Sequence, residues 1–268
     1  MTAAVTFTLG VAATALRVCG PAAWLSPLRD AWATWLPSPE CVPWDVRLTA
    51  DANLATPQGP LFDAVPRSRG GVCTLAAPGF HGDVSAATGA AHLRAHPQAG
   101  PADIGYFLRV VLAVQAFARG GMLFHTAGIV HGGQGYALFG VSGSGKTTAA
   151  HFSAPDAVLN DDLVLLWPLA DGWLMYATPF GKRRGDVRAA PLRALLRLIK
   201  APDVALVPLS AGRALGELVA NTPVLSADPL WLPEALARWE ALLSAVPVYA
   251  LHFRRDATFW EVIDAELG

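Results

Sequence analysis

The chain reads as an α/β protein built around a phosphate-binding loop, with a smaller α/β lobe ahead of it. Three observations predict this. Residues 140–147 spell Gly-Val-Ser-Gly-Ser-Gly-Lys-Thr, a complete G-x-x-x-x-G-K-[ST] pattern. An apolar run, Tyr136-Ala-Leu-Phe139, enters the pattern as a strand would, and Thr147-Thr-Ala-Ala150 leaves it as a helix would. Segments of strand period and of helix period then alternate over most of the chain.

In such a loop the glycines let backbone N–H groups converge on phosphate oxygens with no side chain in the way. Lys146 reaches the β- and γ-phosphates, the Thr147 hydroxyl holds a Mg²⁺, and the helix N-terminus turns toward the anion. Gly140, Ser142, Gly143, Ser144, Gly145, Lys146, Thr147 and Thr148 are therefore the expected nucleotide-binding residues. The chain has only three lysines (Lys146, Lys182 and Lys200), which makes an accidental match rarer. The competing reading is a glycine-rich turn between strand and helix. The pattern predicts ATP or another nucleoside triphosphate, with Mg²⁺, as the ligand.

Length and composition set bounds. A chain of 268 residues can bury a full core as one large domain or two small ones. Its 53% hydrophobic content and mean hydropathy of +0.37 owe much to alanine, and no uninterrupted apolar run suggests a membrane span. Residues 1–9 lack a basic start and alternate polar with apolar, which predicts a strand rather than a signal peptide. A net charge of −1 gives no reason to expect nucleic acid or an anionic membrane as partner. Cys19, Cys41 and Cys73 form no C-x-x-C and are expected as small buried hydrophobes in a reducing cytoplasm.

Residues 1–100 predict the N-terminal α/β lobe. Val5–Cys19 alternates like one or two strands, and Pro21–Leu36 opens with proline and spaces Trp24, Leu28, Trp32 and Trp35 like a helix. Trp44–Leu48 is a strand. Residues 51–101, rich in Gly, Pro and Ala, hold short strands at best, such as Gly71–Ala76. The tryptophans are expected in the core.

Residues 101–268 predict the second domain. A helix over about 102–118 carries Ile104, Phe107, Leu108, Val111 and Leu112 on one face and stops at Gly120-Gly121. Leu123–Val130 and Tyr136–Phe139 pair around His131-Gly-Gly-Gln-Gly135, and Asp162–Leu169 and Trp173–Thr178 form a hairpin at Asp171-Gly172. Helices are expected at about 190–200, 211–220 and 231–245, then a strand, Val248–Phe253, and a helix, Phe259–Glu266.

A phosphate loop names a ligand and not a reaction, which further needs a carboxylate for Mg²⁺ and a group to orient a nucleophile. Asp161 and Asp162 stand between apolar runs at the end of a buried strand, where adjacent residues point in different directions. One can face the metal and the other an acceptor hydroxyl; the alternative is a solvated turn or helix cap. His125 lies on the strand before the loop, either as a satisfied core residue or as part of the site. His131, in the turn, is expected to be exposed.

The order of these features resembles the catalytic domain of HPr kinase/phosphorylase and its short relatives, the serine kinases of lasso-peptide and other peptide-modification systems. The resemblance rests on the histidine-bearing Phe124–Val130, the glycine loop, and an Asp-Asp pair only about fifteen residues beyond the lysine, with a weaker match at Leu251–Trp260. It implies a P-loop HPr-kinase-like (PEP-carboxykinase-like) core with an added N-terminal α/β lobe. It also implies His125 as an active-site residue flanking the phosphates, Asp161 as base and Asp162 as Mg²⁺ partner. The implied acceptor is a serine of a peptide or small protein, and homo-oligomers are common in the family. The family's glycine-rich signature after the aspartates, linked to the reverse phosphorylase reaction, is replaced by Ala177-Thr-Pro-Phe-Gly-Lys-Arg-Arg-Gly185, and residues 1–100 do not resemble the family's N-terminal domain, which together put that reaction and HPr itself in doubt.

Lys182, Arg183, Arg184, Arg188, Arg193 and Arg197 concentrate positive charge, with Arg193 and Arg197 expected one helical turn apart. They are read either as a solvated face or as a clamp on the triphosphate and a guide for an acidic peptide, beside a mobile Pro179-Phe-Gly loop. A kinase acting on a peptide serine is the expectation. A small-molecule kinase and a non-catalytic nucleotide-dependent regulator are the alternatives.

Overall fold

Alternation over the first twenty residues folds as a hairpin, β1 (Ala4–Val11) and β2 (Thr14–Pro21), turned at Ala12 with φ of +51°. The computed structural model describes residues 3–141, 143–153, 157–182, 185–222 and 231–268. Pro21 hands the chain to α1 (Ala22–Ala31), where its missing N–H costs nothing. Trp24, Trp32, Trp35 and Trp44 are buried, so the tryptophans do pack the core.

After β3 (Trp44–Ala50), the glycine-rich stretch contains more strand than its composition predicts: β4 (Arg67–Arg69), β5 (Val72–Ala77), β6 (Phe80–Ser85) and β7 (Ala90–Ala95). Several of its glycines are turn residues, with Gly70, Gly71 and Gly79 at positive φ between β4, β5 and β6. Tight turns of this kind leave little sequence between strands, so composition resembles a loop. The sheet has seven strands in the order β1-β2-β3-β7-β6-β5-β4.

Against this sheet lies α2 (Pro101–Ala118), with the predicted apolar face fully buried and Val110, Ala113 and Val114 buried as well. Gln115 sits among them because its amide closes on Ala15, accepting from its N–H at 3.1 Å and donating to its carbonyl at 2.8 Å. By length and composition α2 could cross a membrane, although Asp103, Arg109 and Gln115 interrupt its apolar run, and 61% of it is buried in the protein. It also moves the expected boundary. The compact units are Met1–Gly120 with Val224–Leu232, and Gly121–Pro223 with Pro233–Gly268, because the apolar face of α2 is satisfied by the first sheet.

The second unit runs β8 (Met122–His125), β9 (Ala127–His131), β10 (Gln134–Phe139), α3 (Lys146–His151), β11 (Val158–Asn160), β12 (Leu163–Leu169), β13 (Gly172–Ala177), β14 (Ala189–Lys200), β15 (Ala205–Pro208), α4 (Ala211–Ala220), α5 (Leu232–Ala245), β16 (Val248–Phe253) and α6 (Phe259–Leu267). Its sheet is mixed, in the order β11-β9-β10-β14-β13-β12-β8, with β16 also on β14 and β15 on β16. The chain is therefore α/β with mixed sheets. Along the strands β10, β14 and β16 are parallel to one another, and α3 and α6 share a core with them through Ala149, Leu196, Phe253, Phe259 and Ile263.

Two elements differ from expectation. Residues 190–200, rich in the helix formers Leu, Ala and Arg, form the strand β14. Between two parallel neighbours a central strand is buried on both faces, so its apolar residues need not alternate. Leu123–Val130 is not one strand: β8 pairs with β12, β9 pairs with β10 and β11, and the chain breaks between them at buried Thr126. His131 is also less exposed than its turn suggests, with Nε2 2.8 Å from Asp264 Oδ1 and its ring stacked on Trp260 at 4.3 Å. Of the cysteines only Cys73 is buried; Cys41 is intermediate and Cys19 exposed.

Candidate functional site

The glycine loop leaves β10 at Phe139 and closes when Gly145 O accepts the N–H of Ala149 at 2.8 Å, starting α3. Gly145 must be glycine twice over. Its φ is +115°, and a Cβ would overlap the ring of Phe253 at the end of β16. Lys146 folds back over the loop, donating from Nζ to Gly140 O at 2.8 Å. Burial pushes its pKa below the ordinary lysine range, and the Asp162 carboxylate partly opposes this. Ser144 is buried with its Oγ unpartnered among the described residues, a hydroxyl inside the loop with its bonding unmet. Ser142, expected in the same cradle, lies outside the described residues.

The aspartate pair is set by its neighbour Asn160. From the end of β11, Asn160 Oδ1 accepts the N–H groups of Asp162 (2.8 Å) and Leu163 (2.9 Å), while Nδ2 donates to Thr178 O (2.9 Å) and Phe180 O. One buried amide thus fixes the bend between β11 and β12 and ties it to the segment after β13. Pro179-Phe-Gly, expected as a mobile loop, is held there: Phe180 is buried, and Gly181, at φ of +122°, leaves no room for a Cβ against the Asn160 amide.

The bend sends the carboxylates in different directions. Asp161 is buried and its Oδ1 accepts the Lys182 N–H at 3.0 Å. Asp162 is partly exposed, its Oδ1 3.2 Å from His125 Nε2, and its carbonyl accepts the Thr126 N–H at 3.0 Å. The break between β8 and β9 leaves His125 at a strand end beside the acid pair, away from the apolar interior.

A cleft of about 400 Å³ collects Lys146, Thr147, Thr148, His125, Asp161 and Asp162. Across it stand Lys200 and Arg255, neither of them expected as a site residue, although Arg255 lies within the Leu251–Trp260 segment of the resemblance. Lys200 becomes legible once residues 190–200 are a strand parallel to β10, because its last residue must then fall on the edge where the glycine loop begins. A larger cleft, about 630 Å³, lies in the first unit among Gln58, Pro60, Asp63, Arg67 and Thr74, without comparable convergent chemistry.

The end of the basic segment is not helical as expected. Arg193 and Arg197 are on β14, not on a helix; Arg193 donates to Leu267 O, and Arg197 pairs with Glu217 at 2.5 Å. Both are committed to the fold. Arg183 and Arg184 lie outside the described residues. Among the described residues no three His, Cys, Asp or Glu side chains gather to hold a metal by themselves. Mg²⁺ needs less from a protein, taking one or two carboxylates and completing its shell with phosphate and water. The hard oxygen donors of Thr147 and Asp162, in one cleft, fit that requirement. No family model matches the chain, and no curated protein is significantly similar to it in sequence.

Proposed function

We propose that this protein is an ATP- and Mg²⁺-dependent kinase of the HPr-kinase-like type, cytoplasmic, transferring the γ-phosphoryl group to a hydroxyl, foremost a serine of a peptide or small protein. One observation carries the proposal: a glycine loop with its lysine shares a cleft with two adjacent aspartates held in different directions by a buried asparagine. The unsatisfied Ser144 hydroxyl and half-buried Lys146 suit a loop that meets its hydrogen-bonding needs with an anion. The core is then of the PEP-carboxykinase-like kind, with the glycine loop after β10.

In this reading Lys146 leaves Gly140 O to contact the β- and γ-phosphates, joining the loop amides. Thr147 and Asp162 would hold Mg²⁺, which neutralises phosphate charge when bound. Asp161, held by the Lys182 N–H, orients the acceptor hydroxyl and takes its proton. His125, next to Asp162, flanks the phosphates and keeps that carboxylate aimed at the cleft. Positioning and charge neutralisation supply the catalysis.

The test is binding of a fluorescent ATP analogue with and without Mg²⁺, alongside ATP turnover with serine peptides. Lys146→Ala should cut phosphoryl transfer by about 100- to 1,000-fold while circular dichroism stays native. Undiminished turnover by a folded Lys146→Ala protein refutes the proposal.

A further inference from the structure

Because β10, β14 and β16 are parallel, their carboxyl ends share one edge of the sheet. Open α/β sheets bind ligands outside such edges. Here β10 runs into the glycine loop, β14 ends on Lys200, and β16 runs into Arg254-Arg255. Lys200 and Arg255 both line the cleft, both are exposed, and among the described residues neither makes an ion pair or side-chain hydrogen bond.

The segment that carries Arg255 is anchored at both ends. Arg254 pairs with Asp256, whose Oδ1 also accepts the Thr258 N–H at 3.0 Å and hydroxyl at 2.5 Å. Phe253 packs edge-on against Phe259, 6.2 Å between centroids, and its ring fills the space that a side chain at Gly145 would need. The same aromatic therefore sets the glycine loop and the start of the Arg-Arg segment in register. Arg254 is neutralised by Asp256, and Arg255 is the arginine left for the cleft.

Charge balance indicates what it meets there. The carboxylates of Asp161 and Asp162 match one divalent cation. Of the lysines and arginines among the described residues that line the cleft, a tetraanionic triphosphate would then have Lys146 on the glycine loop, and Lys200 and Arg255 raise these side-chain cations to three. Exposed cations without carboxylate partners, beside a loop built for phosphate, are what such an excess of negative charge requires.

We propose that Lys200 and Arg255 form a second cationic wall of the nucleotide site, with the Arg255 guanidinium contacting phosphate oxygens opposite the glycine loop. This rests on the nucleotide-binding reading above and adds to it two residues from other strands. The guanidinium supplies a planar fork for phosphate, Lys200 a point charge.

Titration calorimetry with two probes, MgATP and inorganic tripolyphosphate, tests it. Arg255→Ala should weaken both by about 10- to 100-fold, the worth of a charge-assisted contact. Lys200→Ala should weaken them less, by about 3- to 10-fold, and Arg255→Lys should recover part of the loss. The salt dependence of Kd should become shallower in each alanine variant. Melting temperatures without ligand should stay at the wild-type value, since neither side chain is buried. Unchanged affinity of Arg255→Ala for both probes overturns the proposal, including the case in which only the KM for an acceptor peptide rises. Loss of MgATP affinity with tripolyphosphate binding intact overturns it too, assigning Arg255 to the nucleoside. If Lys146→Ala weakens both probes and Arg255→Ala neither, only the wall falls. If the wild-type protein binds neither, the nucleotide reading falls with it.

Discussion

In the first unit the buried polar side chains among the described residues are Thr14 and Gln115, each closing on nearby backbone, and the ion pairs Arg17–Asp45 and Arg94–Asp51 stand at the surface. The second unit buries Thr126, Ser144, Asn160, Asp161 and Thr178 around one bend and one loop, and Ser153, Asn221 and Thr222 besides. Burying a polar group is costly unless it is hydrogen-bonded, so a fold that concentrates such groups gains something other than stability. Here it gains fixed directions for two carboxylates. Under the proposed function the seven-stranded unit serves as scaffold, and the mixed sheet of the second unit organises the site.

The acid pair offers the largest effect by which to break this contrast. Asp161→Asn should depress phosphoryl transfer by about 100- to 10,000-fold and spare nucleotide affinity. Asp162→Asn should weaken nucleotide affinity and its Mg²⁺ dependence as well. Titrating nucleotide and metal into each variant assigns the roles, and the reverse pattern exchanges them. Equal, mild effects from both would mean that the bend is structural only.

Next comes the amide beneath them. Asn160→Ala orphans backbone groups on two segments and should cost about 2–4 kcal/mol of stability, with transfer reduced even in the folded fraction. Gln115→Leu removes the corresponding amide in the scaffold and should cost about 1–3 kcal/mol while nucleotide affinity stays at the wild-type value. Denaturant melts and nucleotide titrations on both variants make the comparison. A loss of affinity in Gln115→Leu as large as in Asn160→Ala would erase the distinction between scaffold and site.

A subtler effect follows from Lys146. Burial lowers its folded pKa below that of the unfolded chain, so between the two values the unfolded state holds more protons. Stability should therefore rise with pH across that window, while nucleotide affinity falls as the ammonium is lost. Binding followed from neutral to alkaline pH should show a falling limb below the pKa of free lysine. Lys146→Arg should move that limb upward, and a limb unmoved by the change would assign it to another group.

Smallest of all, Arg17→Ala removes an exposed pair from the scaffold sheet and should leave both melting midpoint and nucleotide affinity unaltered within error. A measurable loss of binding there would couple the scaffold to the site.

The parts of the chain that speak for themselves are those governed by local chemistry. The glycine loop is legible because positive φ restricts residue choice at Gly140, Gly143 and Gly145, within eight consecutive positions. The face of α2 shows in its helical spacing, and β16 and α4 in their periods and end signals. Asp161 and Asp162 stand out because charge inside an apolar run needs a reason. Residues 190–200 could not be read this way, since Leu, Ala and Arg suit a helix and only burial between β10 and β16 makes a strand of them. For the same reason the split of β8 from β9, the anchoring role of Asn160, the commitment of Arg193 and Arg197 to the fold, and the arrival of Lys200 and Arg255 at the cleft were decided by strand partners far away in sequence. By itself the sequence determined the glycine loop and the acid pair, because backbone conformation and desolvation act over a few residues. Which cations face that loop was left to the order of parallel strands, because a sheet brings together the ends of segments that share no local pattern.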